Sequence, residues 1–183
     1  MKKVLVVVDM QKDFIDGALG TQEAVAIVPH VVEKIEEAKK NHIDIYVTLD
    51  THTEDYLNTQ EGANLPVPHC IKHTKGWALD SNIQAVMDSS MYTAIEKGAF
   101  GSPDLAQQVK ALYEAHHEEG VEVELVGVCT DICVITNALL IKAAAPEVKI
   151  RVDASCCAGV TPASHQTALE AMKMCQIAVI NGN

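Results

Sequence analysis

Residues Met1-Lys2-Lys3-Val4-Leu5-Val6-Val7-Val8-Asp9 open the chain with five consecutive branched apolar side chains that stop at a carboxylate. A run this short and this apolar reads as a strand buried on both faces. The carboxylate interrupts the patch at once, which argues against an export signal. The same reading recurs at 43–49, 121–128, 148–152 and 176–180, with a shorter sixth candidate at 92–96. Between these runs the apolar period changes to that of helices, at about 23–40, 80–88, 103–118, 131–145 and 162–174. Ser102 before Pro103 and Thr161 before Pro162 place a capping hydroxyl ahead of a proline at the first helical position. Gly120 follows Glu118 and Glu119 as a helix stop. Repeated strand–helix alternation predicts an α/β fold, a parallel sheet with helices on both faces.

Length and composition agree with this. The chain has 183 residues, 48% of them apolar and 21% charged. That excludes a disordered polymer and fits one domain spanning 1–183. The 14 basic and 25 acidic residues leave a formal charge of −11. Phosphate backbones and anionic lipid would repel such a chain, so neither nucleic acid nor a membrane is the expected partner. The six cysteines, Cys70, Cys129, Cys133, Cys156, Cys157 and Cys175, form no disulfide framework and no C-x-x-C pair. They read as reduced thiols of a cytoplasmic protein, with Cys156, Cys157 and Cys175 packing against the sheet and Cys129 a structural residue at the end of an apolar strand.

In an open parallel sheet, ligands bind beyond the carboxyl ends of the strands. Strand by strand, those ends deliver Asp9, then Asp50 and His52, then Lys97, then Cys129 and Cys133. Cys133 falls in the first turn of the helix after the fourth strand, with Thr130 or Asp131 available as its cap. There the helix dipole favours a thiolate and backbone amides can meet an oxyanion; the alternative is a small buried apolar side chain. Asp9 reads as a desolvated carboxylate able to take the thiol proton, or as half of a structural ion pair with Lys97. Residues 50–79 keep neither period, and a loop of that length inside a compact domain is usually functional. Asp50, His52, Glu61 and His69 offer two carboxylates and two imidazoles there, a mixed donor set suited to a divalent ion, unless they never meet. His73, His116 and His117 read as surface residues.

Five motifs in order carry a resemblance over nearly the whole chain. They are Val8-Asp9-Met10-Gln11-Lys12-Asp13-Phe14 with Gly17 and Leu19; Asp50-Thr51-His52; Pro68-His69-Cys70; Lys97-Gly98-Ala99-Phe100; and Gly127-Val128-Cys129-Thr130-Asp131-Ile132-Cys133. The segment from Asp153 to Pro162 adds to them. With these the chain resembles the isochorismatase-like cysteine hydrolases, and among them the nicotinamidases (pyrazinamidases). The resemblance implies a three-layer α-β-α fold with a six-stranded, mostly parallel sheet. It implies a catalytic triad of Asp9, Lys97 and Cys133, and a cis Val128–Cys129 peptide that turns the Cys129 amide toward that of Cys133 as an oxyanion hole. It also implies one divalent metal ion (Zn, Fe or Mn) on Asp50, His52, Glu61 and His69, with Glu54 or Asp55 competing for the place of Glu61. Phe14, Phe100 and Leu65 would border the substrate; Leu65 or Pro66 stands where nicotinamidases carry a large aromatic. The implied activity is hydrolysis of nicotinamide to nicotinate and ammonia by a homodimer or homotetramer. Another small amide, a ureido or carbamoyl compound, or an isochorismatase reaction is the alternative. Isochorismatases lack the metal set, so Asp50, His52 and His69 argue against that last version.

Overall fold

The computed structural model describes residues 1–182. Six strands form one sheet: β1 (Lys2–Val8), β2 (Asp44–Asp50), β3 (Thr93–Lys97), β4 (Val121–Val128), β5 (Lys149–Ala158) and β6 (Ala178–Ile180). Their order is β3-β2-β1-β4-β5-β6, and every neighbouring pair is parallel. The apolar runs of the sequence are these strands, because a parallel sheet covered on both sides buries both faces. Val4, Val6 and Val8 point to one side with Leu105, Val109, Ile141 and Leu169. Leu5 and Val7 point to the other with Ile27, Val31, Ile35 and Ile83.

The first side is covered by α5 (Pro103–Ala115), α6 (Ile135–Ala144) and α7 (Pro162–Met174). The second is covered by α2 (Gln22–Lys40) and α4 (Ser81–Val86), with α1 (Lys12–Ile15) at its margin. Ser102 and Thr161 cap α5 and α7 as expected, accepting from the Leu105 and Ser164 amides. The last of the helices, α3 (Gln60–Asn64), lies with a short 3₁₀ turn (Tyr56–Asn58) inside the loop read as aperiodic.

Four readings need correction. The helix opened by Pro103 ends at Ala115, and Gly120, at φ +76°, closes a separate turn whose amide bonds the His116 carbonyl. The fifth strand runs on to Ala158. Neither Thr130 nor Asp131 caps a helix: residues Thr130–Val134 make a π turn that leads into α6, with no side-chain cap. Cys175 does not pack against the sheet, being exposed just after α7. Among the described residues no helix is long and apolar enough to cross a membrane.

The strand order reverses between β1 and β4, and that is where an open sheet leaves its crevice. Gly127 lets the two strands approach there: a Cβ on it would lie 2.1 Å from the Val8 carbonyl oxygen, and its φ of +117° disfavours any side chain. Asp9 leaves β1 in the left-handed region, at φ 49°.

Candidate active site

Lys97, the last residue of β3, sits at the centre of the site. Its Nζ lies 2.7 Å from Asp9 Oδ2, 3.1 Å from Asp50 Oδ1 and 3.6 Å from Cys133 Sγ, and donates to the Ala99 carbonyl at 3.1 Å. Burial by itself would strip the charge from this ammonium. Asp9, the Cys133 sulfur and Asp50 outweigh that and push its pKa well above the ordinary lysine value, so it stays cationic.

Asp9 is fully buried. Its Oδ1 accepts from the Thr48 hydroxyl at 2.6 Å, and its backbone N–H donates to the same hydroxyl oxygen. Burial raises its pKa; Lys97 offsets part of this and Asp50 adds to it. The Cys133 thiol, buried beside it, is pushed up by burial and by the Asp9 charge, against the pull of Lys97. The resting pair is therefore a thiol next to a carboxylate of raised basicity.

The turn that carries Cys133 is held through its carbonyls. Cys129 O accepts from the Ile132 and Val134 amides at 3.1 and 3.0 Å, and the Cys133 carbonyl accepts from Asn137 Nδ2 at 2.8 Å. The Val128–Cys129 peptide is cis. Among the described residues the Cys129 N–H has no acceptor. The Cys129 thiol itself is pushed up to about 12 by burial and Asp131.

The second half of the site lies across Lys97. Ligand atoms of Asp50, His52 and His69 all fall within 4.8 Å of one another. Asp50 Oδ2 is 2.8 Å from His52 Nε2 and 3.5 Å from His69 Nε2, and Glu61 Oε1 is 3.6 Å from both imidazole nitrogens. Glu54 and Asp55 are exposed and take no part. Two donors about 2.1 Å from one ion at a tetrahedral angle would lie about 3.4 Å apart, close to these separations. His52 Nε2 is buried without an aligned hydrogen bond, an orphaned polar atom that a metal would satisfy. His69 Nδ1 is engaged by the Val67 carbonyl at 2.8 Å, which leaves Nε2 for the cluster. Burial would raise the Asp50 pKa, yet the two imidazoles and Lys97 hold it well below the usual carboxylate value. The donor set fits a divalent ion.

A cavity of about 240 Å³ opens onto both halves. Phe14, Leu19, Leu65, Phe100, Ile132 and Val160 give it apolar walls, and Asp50, Glu61, His69, Cys129 and Cys133 border it. Leu65 lines this space and Pro66 does not. Phe14, on α1, lies 5.4 Å from the His69 ring, centroid to centroid.

Several supporting residues escaped the sequence reading. Gln11, fully buried, donates from Nε2 to the Asp50 and Trp77 carbonyls and accepts from the Asp50 N–H at 2.7 Å, clamping the end of β2. Asp13 Oδ2 accepts from the Cys70 amide at 2.8 Å and so pins the residue after His69. The Tyr56 ring packs edge-on against His52 and His69, and its hydroxyl donates to the Leu65 carbonyl at 2.9 Å. Thr48 carried a signal, a hydroxyl inside an otherwise apolar strand. Tyr56 carried none, because only the fold brings it to the histidines.

Comparison with known proteins agrees with this geometry. The nicotinamidase/pyrazinamidase of Mycobacterium tuberculosis is 28% identical over 188 residues, covering 97% of this chain and 98% of that protein. The nicotinamidase of Saccharomyces cerevisiae is 25% identical over 175 residues, covering 75% and 80%. Among solved structures, the pyrazinamidase of Pyrococcus horikoshii in complex with zinc superposes with a TM-score of 0.79 at 28% identity, with both chains fully covered. A Bacillus subtilis nicotinamidase/pyrazinamidase gives 0.78 at 25% identity, covering 98% and 99%. The family model for the isochorismatase domain matches residues 3–183, and the chain therefore belongs to the isochorismatase family of hydrolases.

Proposed function

We propose that this chain is a metal-dependent cysteine amidase that converts nicotinamide to nicotinate and ammonia. The observation that carries the reading is the position of Lys97, in contact at once with Asp9, Cys133 and the Asp50 carboxylate of the donor set. The names of the Mycobacterium and Saccharomyces relatives support it.

In this reading Asp9 takes the proton from Cys133 as Sγ attacks the carboxamide carbon. The oxyanion faces the backbone N–H groups of Cys129 and Cys133. Asp9 returns the proton to the departing nitrogen, ammonia leaves, and a thioester remains on Cys133. Asp9 then deprotonates a water that attacks the thioester, releasing nicotinate and restoring the thiol. Lys97 stays cationic throughout and offsets whichever anion is present, carboxylate or thiolate. A divalent ion on Asp50, His52, Glu61 and His69 would supply a Lewis-acid anchor for a ring nitrogen and so orient the carboxamide.

Charge supports a neutral substrate. Among the described residues no lysine or arginine lines the cavity, and Lys97 is committed to two carboxylates. An N-carbamoyl amino acid or an isochorismate brings carboxylates that no protein cation on the cavity wall would receive, among the described residues, and that would compete with Asp50 and Glu61 for the divalent ion. Leu65 favours the second reading, a different neutral amide, because it puts an aliphatic wall where nicotinamidases carry a large aromatic. Measuring kcat/KM for nicotinamide and for an N-carbamoyl amino acid separates these cases. Nicotinamide should lead by about 100-fold or more. A reversed order would transfer the assignment to the carbamoyl class, and inactivity on both to another amide.

A further inference from the structure

Thr130 and Asp131 follow Cys129 directly, and neither caps the helix they precede. Asp131 reaches instead to the connection between β5 and α7, and Thr130 to the first turn of α7. The Asp131 carboxylate accepts from the Val160 N–H with both oxygens, at 3.1 and 3.2 Å. Thr130 is fully buried, and its Oγ1 lies 2.8 Å from His165 Nδ1, its one partner among the described residues. His165 cannot drift: Gly159 lies flush against it, so that a Cβ on Gly159 would come within 2.9 Å of the His165 Cβ and amide nitrogen. The turn of α7 that presents His165 is itself closed by the reciprocal Thr161–Ser164 capping box. The end of this connection and the first turn of α7 are thus a fixed platform. The connection supplies Val160 to the cavity wall, and the first turn, through His165, grips the turn that carries Cys129 and Cys133.

We propose that His165 is a positioning residue for the hydrolysis: through Thr130 it fixes the Cys129–Cys133 turn that presents the nucleophile and the oxyanion-binding amide. The proposal rests on Cys133 being the nucleophile but not on the identity of the amide. A buried hydroxyl bonded to one imidazole nitrogen restrains a turn more tightly than packing does, because its loss leaves a desolvated donor without a partner. A misplacement of a fraction of an ångström at an attacking atom is read in the chemical step, while the binding of the ring is left alone.

The test is a cycle of four variants. His165→Leu and Thr130→Val each remove the hydrogen bond at similar volume, His165→Asn keeps a polar group at the place of Nδ1, and the fourth variant combines the first two. For nicotinamide, both single removals should lower kcat between about ten- and a hundredfold with KM within about twofold. His165→Asn should regain most of the rate, and the double variant should be no slower than the slower single one. Amide exchange of Ile132 and Val134, whose N–H groups bond the Cys129 carbonyl, should speed up in the two removals and return in His165→Asn. Exchange reads the turn without any substrate, so a wild type inactive on nicotinamide would defeat the functional reading and still decide this one. Thr130→Val carries the test if His165→Leu does not fold. The proposal is overturned by equal loss in the Asn and Leu variants, by multiplicative loss in the double variant, or by unchanged exchange in both removals.

Discussion

Asp9 is a carboxylate whose basicity is set by where the chain buries it. Burial raises it from the usual 3.8 and Lys97 pulls it back only in part. As the proposed base it works only when ionised, so kcat/KM should fall as pH drops through that raised pKa. The acid limb should therefore lie above pH 3.8. A basic limb from Cys133 should be displaced above 9, since burial and Asp9 hold that proton on. Asp9→Asn should fold, keep its metal and lose at least about 1,000-fold in kcat, removing the acid limb from what activity is left. An Asp9→Asn enzyme with a wild-type pH profile would hand the role of base to another group. Legibility differed from residue to residue. Asp9, Lys97 and Cys133 stood out because each ends an apolar strand or opens a helix. Gln11, Tyr56 and His165 did not, because what gives them a part is a partner between 39 and 9 residues away for the first two, and 35 for the last.

At the level of elements, the strands were readable because both faces of a parallel sheet are apolar, a pattern that survives without tertiary knowledge. The order in which they pair was not, since every strand is much alike in composition. Nor were the π turn after β4 and the short helix that carries Glu61. Segments of five residues have almost no helical preference of their own and take shape from what they pack against. The approach of β1 to β4 is the element-level feature on which the site depends. Gly127→Ala would drive a Cβ against the Val8 carbonyl, a backbone atom of the adjacent strand. It should destabilise the fold by about 3 kcal/mol or more and take activity with it, as thermal unfolding would show. A Gly127→Ala protein with wild-type stability would mean that β1 and β4 are free to separate there.

Across the whole molecule two networks tie layers together away from the chemistry and at it. On the second face, Lys34 of α2 bridges Asp153 of β5 at 2.9 Å and Glu124 of β4 at 2.8 Å. Burial would raise Asp153, but Ser155, Lys34 and Asn181 lower its pKa below the usual 3.8. A depressed carboxylate stabilises the fold above its unfolded pKa and loses that contribution as pH falls through the folded value. Asp153→Asn should thus cost roughly 2 kcal/mol near neutrality, and the gap from wild type should close as pH falls through the lowered folded pKa of Asp153, below the usual 3.8. A gap constant with pH would make packing, not charge, the role of Asp153. At the active site the ligand atoms of Asp50, His52 and His69 lie within 4.8 Å of one another, with Glu61 Oε1 3.6 Å from both imidazoles. Elemental analysis should find about one divalent ion per chain, lost in His52→Ala together with turnover and several degrees of thermal stability. Full activity in a metal-free protein would leave the cluster without a catalytic part.

The most direct measurement is ammonia release from nicotinamide by the metal-loaded protein, run beside Cys133→Ala and Cys129→Ala. Rapid release in the wild type, a measurable rate in Cys129→Ala and none in Cys133→Ala is the expected pattern. Release that survives in Cys133→Ala, or is lost equally in both variants, would contradict the assignment of Cys133 as the nucleophile beside Asp9 and Lys97.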